Sequence, residues 1–399
     1  MVTSIAETLW PANSGARHPS TLRAGNRADV FRLSTRTQRP VLALGGELKA
    51  AFAFYHDTTA RLSRSNWNLT DPMQYRNYCA AIKQLLGDSE LKPEFVAHDL
   101  HPNYLSTRLA LQMGLPTIGV QHHHAHVVSV MAERRIVKPV IGICCDGVGL
   151  GTDHAAWGCE ILHCRMDKFT RLGHLEYFPL LGGDAAAIET WRPALALVQQ
   201  AFGELWQRET AESFDRVPEA VLNGVARLNQ TKLPVPQTSS LGRVFDGVSF
   251  LLGLCNKNET EAQAAIALEN AARDDESDPY PYETRAGPEG IRMSLAGAVR
   301  AILHDRMRRA PCSLIASRFH ETVARMLVAT ADMAAEQTGV RTIVLAGGCF
   351  ANRRLRSRVI ALLQRAQFQV VVPERVPMGD AGLALGQAVV AAAILERAG

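Results

Sequence analysis

Val140–Leu162 reads VIGICCDGVGLGTDHAAWGCEIL: an apolar run, a glycine-rich break and a second apolar run. A short run of β-branched and small apolar residues closed by glycines is the pattern of a buried strand entering a tight turn. The same plan stands earlier, in VLALGGELKAAFAFY (Val41–Tyr55). Its opening occurs a third time in TIVLAGGCFAN (Thr342–Asn352), which leads into the helix-like RRLRSRVIALLQRA (353–366). Amphipathic stretches with helical spacing, such as Gln74–Leu86 and Glu321–Gln337, lie between these modules. Strands that alternate with helices define an α/β protein, and the repeated module predicts a duplication with a ligand cleft between two lobes. Ligands in such sheets sit at the carboxyl ends of strands, where glycine turns present backbone N–H groups. We therefore expect a basic arm over residues 1–38, a first lobe over 39–137 and a second over 138–399. A helix-rich insertion at about 170–300 is expected to cap the cleft.

The wider composition agrees with this. Of 399 residues, 47% are hydrophobic and 21% charged, so the bulk of the chain has the makings of a core and is not a disordered polyelectrolyte. The net charge of +4 is too weak a field to argue nucleic-acid binding. The opening MVTSIAETLW lacks the basic and apolar regions of a signal peptide. The apolar stretch Ala381–Leu395 is shorter than a membrane span and carries Gln387. A soluble, cytoplasmic protein is expected. The eight cysteines form no C-x-x-C pair, which argues against a zinc ribbon or thioredoxin-type motif and for ordinary buried thiols. Six arginines and one acid, Asp29, fall between Arg17 and Arg39, the composition of a solvated arm.

The sharpest chemical signal is Gln121–His126, QHHHAH, between the apolar TIGV and the helix-like VVSVMAERR. His122 and His126 stand i and i+4, so on a helix they project from one face toward one point, the spacing of helical metal-binding pairs. The alternatives are phosphate binding or a satisfied pair of core histidines. Further donors are at hand. Asp146 closes VIGICC, and Asp380 lies in MGDAGLALGQ, where it reads either as a ligand or as a helix N-cap. Imidazoles with carboxylates favour iron, zinc or manganese over magnesium. The glycines form the second signal. Gly147, Gly149 and Gly151 in DGVGLGT, Gly182 and Gly183 before Asp184, and Gly347 and Gly348 before Asn352 would let a phosphate approach the backbone. No P-loop and no dinucleotide fingerprint is present.

VQHHHAHVVSVMAE, CDGVGLGTDHAAWGCEIL, LLGGDAAAIETWRP, TSSLGRVFDGVSFLLGL, EAQAAIALE and LAGGCFANRRL resemble the carboxy-terminal region of the HypF family. So do LALGGELK, DLHPNYLSTRLA and GDAGLALGQ, and the runs stand in the family's order from about Pro40 to Glu396. HypF proteins are carbamoyltransferases of nickel–iron hydrogenase maturation. The wider superfamily shares the duplicated actin/Hsp70-like (ASKHA) fold, so the resemblance implies that fold here. It also implies that His122, His126, Asp146 and Asp380 bind one divalent metal, iron or zinc. The LGGD and GG-x-x-x-N turns (Gly182, Gly183, Asp184, Gly347, Gly348 and Asn352) would hold nucleotide, with Asp246 at the ribose.

By resemblance, the expected reaction moves a carbamoyl group from carbamoyl-adenylate, made from carbamoyl phosphate and ATP, to the C-terminal cysteine thiol of HypE. AMP is released, and glycine N–H groups with Arg192 or Arg243 would stabilise developing negative charge. A full HypF begins with acylphosphatase, zinc-finger and YrdC-like domains that have no counterpart here, so a truncated form keeping the transfer half is expected. The family's L-S-Q-H-I-G-D-L, Y-E-(G/A)-Q and S-G-G read LSRSNWNL, TEAQ and AGG. Two alternatives remain. One is another superfamily enzyme that (threonyl)carbamoylates tRNA or a hydroxyl substrate. The other is a non-catalytic nucleotide-binding scaffold.

Overall fold

In the computed structural model, which describes residues 28–88, 92–230, 234–273 and 277–398, the chain divides into two α/β units. The first takes the described residues of Met1–Lys138, Arg165–Lys168 and Pro373–Gly399; the second takes Pro139–Cys164 and Phe169–Val372. In the first unit β1 (Ala28–Ala43) pairs antiparallel with β2 (Ala53–Ser63) and parallel with β3 (Phe95–Asp99), which pairs parallel with β4 (Thr117–Val120). The order is β2-β1-β3-β4. Helix α1 (Pro72–Asp88) starts where the sequence dictates. Asp71 Oδ1 accepts from the N–H groups of Met73 (2.8 Å) and Gln74 (3.0 Å), and Pro72 occupies the first position, where no N–H is needed. Its inward face, Tyr78 and Ile82, packs on Leu42, Leu44, Phe52 and Val96 of the sheet side. Helices α2 (Leu105–Gln112) and α3 (His122–Glu133) follow β3 and β4.

The second unit repeats the plan inside a larger sheet, of nine strands among the described residues. Its sheet centres on β5 (Val140–Leu150), β6 (Ala156–Cys164) and β7 (Phe169–Leu175), an antiparallel meander. The short β8 (Phe178–Pro179) and β9 (Gln237–Thr238) pair with each other, and β9 adds to β6. A hairpin, β10 (Glu283–Gly287) and β11 (Gly290–Ser294), extends the edge beside β7, while β12 (Thr342–Ala346) and β13 (Gln369–Val371) run parallel on the other side of β5. The series β6-β5-β12-β13 therefore corresponds to β2-β1-β3-β4: a hairpin followed by two parallel crossover strands. This is the duplicated α/β fold expected from the sequence. The helices used below are α4 (Trp191–Phe202), α5 (Leu241–Leu251), α6 (Cys312–Thr338) and α7 (Arg353–Arg365). Gly339, at φ +71°, ends α6 in the left-handed conformation that glycine adopts without strain. The last helix, α8 (Leu383–Ala398), belongs to the first unit.

Several boundaries differ from expectation. The second lobe, expected over 138–399, ends at Val372, and the described residues of Pro373–Gly399 belong to the first unit. Strand β1 begins at Ala28, so residues 28–38 are paired sheet and not arm; alternating burial of Phe31 and Leu33 holds them there. The rest of the expected arm lies outside the described residues. The segment at 170–300 is rich in helix, as expected, but it also contains β7 and the β10–β11 hairpin, which belong to the sheet of the second unit. Finally, DGVGLG is not a turn. It is the distal half of β5, with a register shift between Cys145 and Gly149, and the chain reverses only at Gly151–Ala155. Alternating glycines had mimicked a loop, yet they also suit a bulged strand. Six of the eight cysteines are buried, as expected. Among the described residues, no helix is long and apolar enough to cross a membrane.

Helix α8 is held against the first unit by two devices. Gln387, fully buried, donates from Nε2 to the Gly45 carbonyl (3.1 Å) and accepts the Gly45 N–H on Oε1 (2.8 Å). Gly386 meets α3 so closely that a Cβ there would sit 1.8 Å from the Ala125 carbonyl oxygen. Gly386→Ala is accordingly expected to destabilise the protein by about 1–3 kcal/mol or more, because backbone cannot yield as a side-chain tip can. Gly87→Ala in α1, where a Cβ meets nothing, is expected to be neutral or to stabilise by about 0.5–1 kcal/mol. Urea unfolding of both variants checks the contrast.

Candidate functional site

Strand β4 delivers the chain into α3, and Gln121 caps the helix by accepting the His124 N–H (2.8 Å). All four histidine rings are buried. His123 Nδ1 meets the Gln121 amide (3.2 Å), and His124 Nε2 donates to the Arg165 carbonyl (2.7 Å), with burial pushing its pKa down to about 4. The i, i+4 spacing singles out the other two, and the His123 ring packs edge-on against His122 with centroids 5.4 Å apart. His122 Nε2 and His126 Nε2 lie 3.2 Å apart, and Asp380 Oδ1 stands 3.7 Å from the first and 3.4 Å from the second. Gly379, not Asp380, is the N-cap of the turn Asp380–Gly382 that precedes α8. Gly46 of the LALGG turn flanks the carboxylate; a Cβ there would lie 3.5 Å from Asp380 Oδ2.

The donor set fits a metal ion. A tetrahedral ion with bond lengths of about 2.0–2.1 Å separates its donors by about 3.3 Å, and the three separations bracket that value. Two imidazoles and a carboxylate suit zinc or non-haem iron. His122 has a partner the sequence reading did not assign: its Nδ1 donates to Asp99 Oδ2 at 2.7 Å, with both groups fully buried.

In the second unit, Asp146 on β5 is buried and accepts the Gly348 N–H on Oδ1 (2.9 Å). Gly347, at φ +93°, is pressed against β5, where a Cβ would stand 2.4 Å from the Cys145 carbonyl oxygen. The AGG turn after β12 thus requires glycine on steric grounds. Ser240 caps α5 by accepting the Arg243 N–H (3.1 Å), and its hydroxyl donates to the Gly147 carbonyl. Glu160, fully buried on β6, anchors the same TSS loop by accepting from Ser239 Oγ (2.5 Å), while Arg171 Nε holds its other oxygen (2.6 Å). Gly149 pairs with Trp157 across β5 and β6.

Arg243, Asp246, Arg192 and Asn352 have partners in the fold. Arg243 Nη2 pairs with Asp246 Oδ2 at 2.7 Å, and Asp246 also accepts from Asn258 (3.2 Å). Burial pushes the Asp246 carboxyl up, against the pull of Arg243. The LGGD turn holds Gly182 at φ +88° and Gly183 at +59°, with Asp184 exposed. Arg192 lies on that turn, since a Cβ at Gly182 would come 2.6 Å from its Nη1, and its Nε donates to Glu189 (2.5 Å). Asn352 caps α7 by accepting the Leu355 N–H (2.8 Å), and its amide donates to His320 Nε2 (3.0 Å). Its side chain is therefore engaged in shaping the turn.

The chain is similar to the Kae1-like carbamoyltransferase class. Residues 36–133 match the family described as the HypF Kae1-like domain, and residues 142–387 match the second subdomain of the carbamoyltransferase Kae1-like domain. A carbamoyltransferase HypF homolog of Cupriavidus necator is 40% identical over 364 residues, covering 88% of this chain and 91% of that protein. Carbamoyltransferase HypF2 of the same organism is 36% identical over 91% of this chain and 47% of its own length. A crystal structure of full-length HypF in a phosphate- and nucleotide-bound form superposes with a TM-score of 0.88 at 35% identity, covering 92% of this chain and 48% of that one. The chain belongs to the HypF carbamoyltransferase family. It spans about half the length of the full-length relatives and nearly all of the short one.

His320, which orients Asn352, donates from Nδ1 to the Ala316 carbonyl (2.7 Å), and burial lowers its pKa from 6.5 to about 4. The unfolded chain takes up this proton as the pH falls through 6.5, whereas the folded chain does so only near 4. The contribution is thus complete above pH 6.5 and is lost between 6.5 and 4. It amounts to roughly 3 kcal/mol at the acid limit. Urea unfolding at pH 7 and pH 4.5 is expected to show a smaller acid loss for His320→Gln than for the parent.

Proposed function

We propose that this chain performs the transfer half of the HypF reaction, moving a carbamoyl group from carbamoyl-adenylate to the C-terminal cysteine thiol of HypE. Carbamoyl-adenylate itself would come from carbamoyl phosphate and ATP. The observation that carries the reading is the convergence of His122, His126 and Asp380 in a chain of this family. In the transfer a sulfur–carbon bond forms, the carbon–oxygen bond to the adenylate phosphate breaks, the thiol proton leaves and AMP departs.

His122, His126 and Asp380 would hold one divalent ion, iron or zinc, and the family pattern assigns Asp146 as the fourth ligand. An ion so held supplies Lewis-acid polarisation of a carbamoyl or phosphate oxygen. The chain's own groups do the rest. The glycine turns at Gly182–Gly183 and Gly347–Gly348 would receive phosphate on their backbone, the Gly183 N–H leaving the Leu180 carbonyl and the Gly348 N–H leaving Asp146 to do so, with Asp184 beside them, Gly147 and Gly149 on the adjoining strand and Asp246 at the ribose. Asn352 would act through the turn it caps. Arg192 and Arg243 would stabilise negative charge on the leaving phosphate, exchanging Glu189 and Asp246 for it. The nucleophile belongs to the acceptor, so the buried cysteines here need no catalytic role. Free thiols throughout suit the reducing cytoplasm, where we place the reaction.

The test is the intact mass of HypE after incubation with this protein and preformed carbamoyl-adenylate, beside a tube with ATP and carbamoyl phosphate. A carbamoyl adduct on the terminal cysteine is expected in the first tube, and its loss on metal chelation or in His122→Ala/His126→Ala. HypE that binds the protein yet gains no mass in either tube overturns the reading in favour of a scaffold.

A further inference from the structure

Asp99 ends β3, in the run FVAHD, and is fully buried. Each of its carboxyl oxygens has its own donor. Oδ1 accepts the backbone N–H of His101 (2.9 Å), and Oδ2 accepts Nδ1–H of His122 (2.7 Å). Its carbonyl is held as well, by Thr107 Oγ1 (3.1 Å) and His98 Nδ1 (2.7 Å). The backbone fixes the distance between the two residues: Asp99 pairs with Val120 in the β3–β4 ladder, and the chain leaves β4 there to begin α3 at His122. Neither partner is free to swing.

This arrangement has a chemical consequence. A neutral imidazole carries its proton on one nitrogen only, and the hydrogen bond made by that nitrogen decides which one remains a ligand. With Nδ1–H donated to Asp99, the lone pair lies on Nε2, the atom that faces His126 and Asp380. We propose that Asp99 is the positioning residue of the metal centre: it locks His122 in the Nδ1–H tautomer and fixes the ring plane, so that Nε2 is presented as a donor before any ion arrives. The inference deepens the ligand set proposed above and rests on it.

Asp99→Asn discriminates this from a packing role. The carboxamide has one oxygen, and the His101 N–H claims it, so the amide NH2 faces His122 Nδ1. The imidazole must then accept there, which moves its proton to Nε2 and removes the donor. The volume and the backbone contact stay nearly the same. Zinc affinity, measured by competition with a chromophoric chelator, is expected to fall about 10- to 100-fold, as outer-sphere partners of metal-bound histidines generally do when lost. The melting temperature in excess EDTA is expected to stay close to the parent's. Zinc affinity in Asp99→Asn within about twofold of the parent, while His122→Ala loses zinc, overturns the role of Asp99 alone. Zinc binding unchanged in His122→Ala overturns the ligand set itself. Should Asp99→Asn fail to fold, nitrogen-15 chemical shifts of labelled histidines in the metal-free parent decide the question. Protonation of His122 at Nδ1 is the expected result, and protonation at Nε2 refutes the proposal.

Discussion

Four imidazoles are buried within the first five residues of α3, and a buried ring nitrogen without a partner is destabilising by an amount that a marginally stable fold cannot ignore. Much of the first unit can be understood as the supply of those partners. Gln121 serves His123 and the helix cap together. The short Arg165–Lys168 segment, grouped with the first unit although its flanking strands are not, brings a carbonyl to His124. Strand β3 carries Asp99 to His122, and Asp380 reaches the two Nε2 atoms from the turn before α8. The close approach of α8 to α3, which glycine alone permits at position 386, is a condition of that last contact.

The second unit solves a different problem with different means. Its proposed phosphate-binding turns are backbone, and backbone is exposed at a turn only where side chains are missing. Gly347 at φ +93° and the Gly182–Gly183 pair set the path of those turns, while Asn352, Ser240 and Glu160 are used to hold the turns and the adjoining helix in place. Polar side chains act here as scaffolding for main chain, the reverse of α3, where main chain is scaffolding for polar side chains.

How much of this was legible in the sequence follows from the range of each interaction. The repeated strand-and-glycine module was legible because a strand and its turn are local, and the i, i+4 histidines because a helix is local. Asp380 could be nominated but not decided, since an aspartate before an apolar helix fits an N-cap equally well; only the position of Gly379 separates the two readings. Asp99 stands within DLHP with nothing local to mark its role, because its bond to His122 depends on a parallel strand pairing that no periodicity reveals. The return of α8 to the first unit is hidden for the same reason: it is fixed by Gln387 on Gly45, at opposite ends of the chain. DGVGLG was misread because glycine marks a turn and a strand bulge with the same letter.

The arginines join the fold to its chemistry. Arg192 and Arg243 each sit beside a carboxylate, Glu189 and Asp246, at the turn and helix that would meet an adenylate. An ion pair already formed in the free protein holds the guanidinium in place, but it also weakens the net field at that point. Asp246 is nearly fully buried, and burial raises its carboxyl pKa, so the pair is one whose neutralisation is easier than that of an exposed aspartate. An anionic phosphate arriving beside Arg243 would compete for the same guanidinium and push the Asp246 pKa further up. In the free protein the buried aspartate keeps the arginine oriented and neutralised.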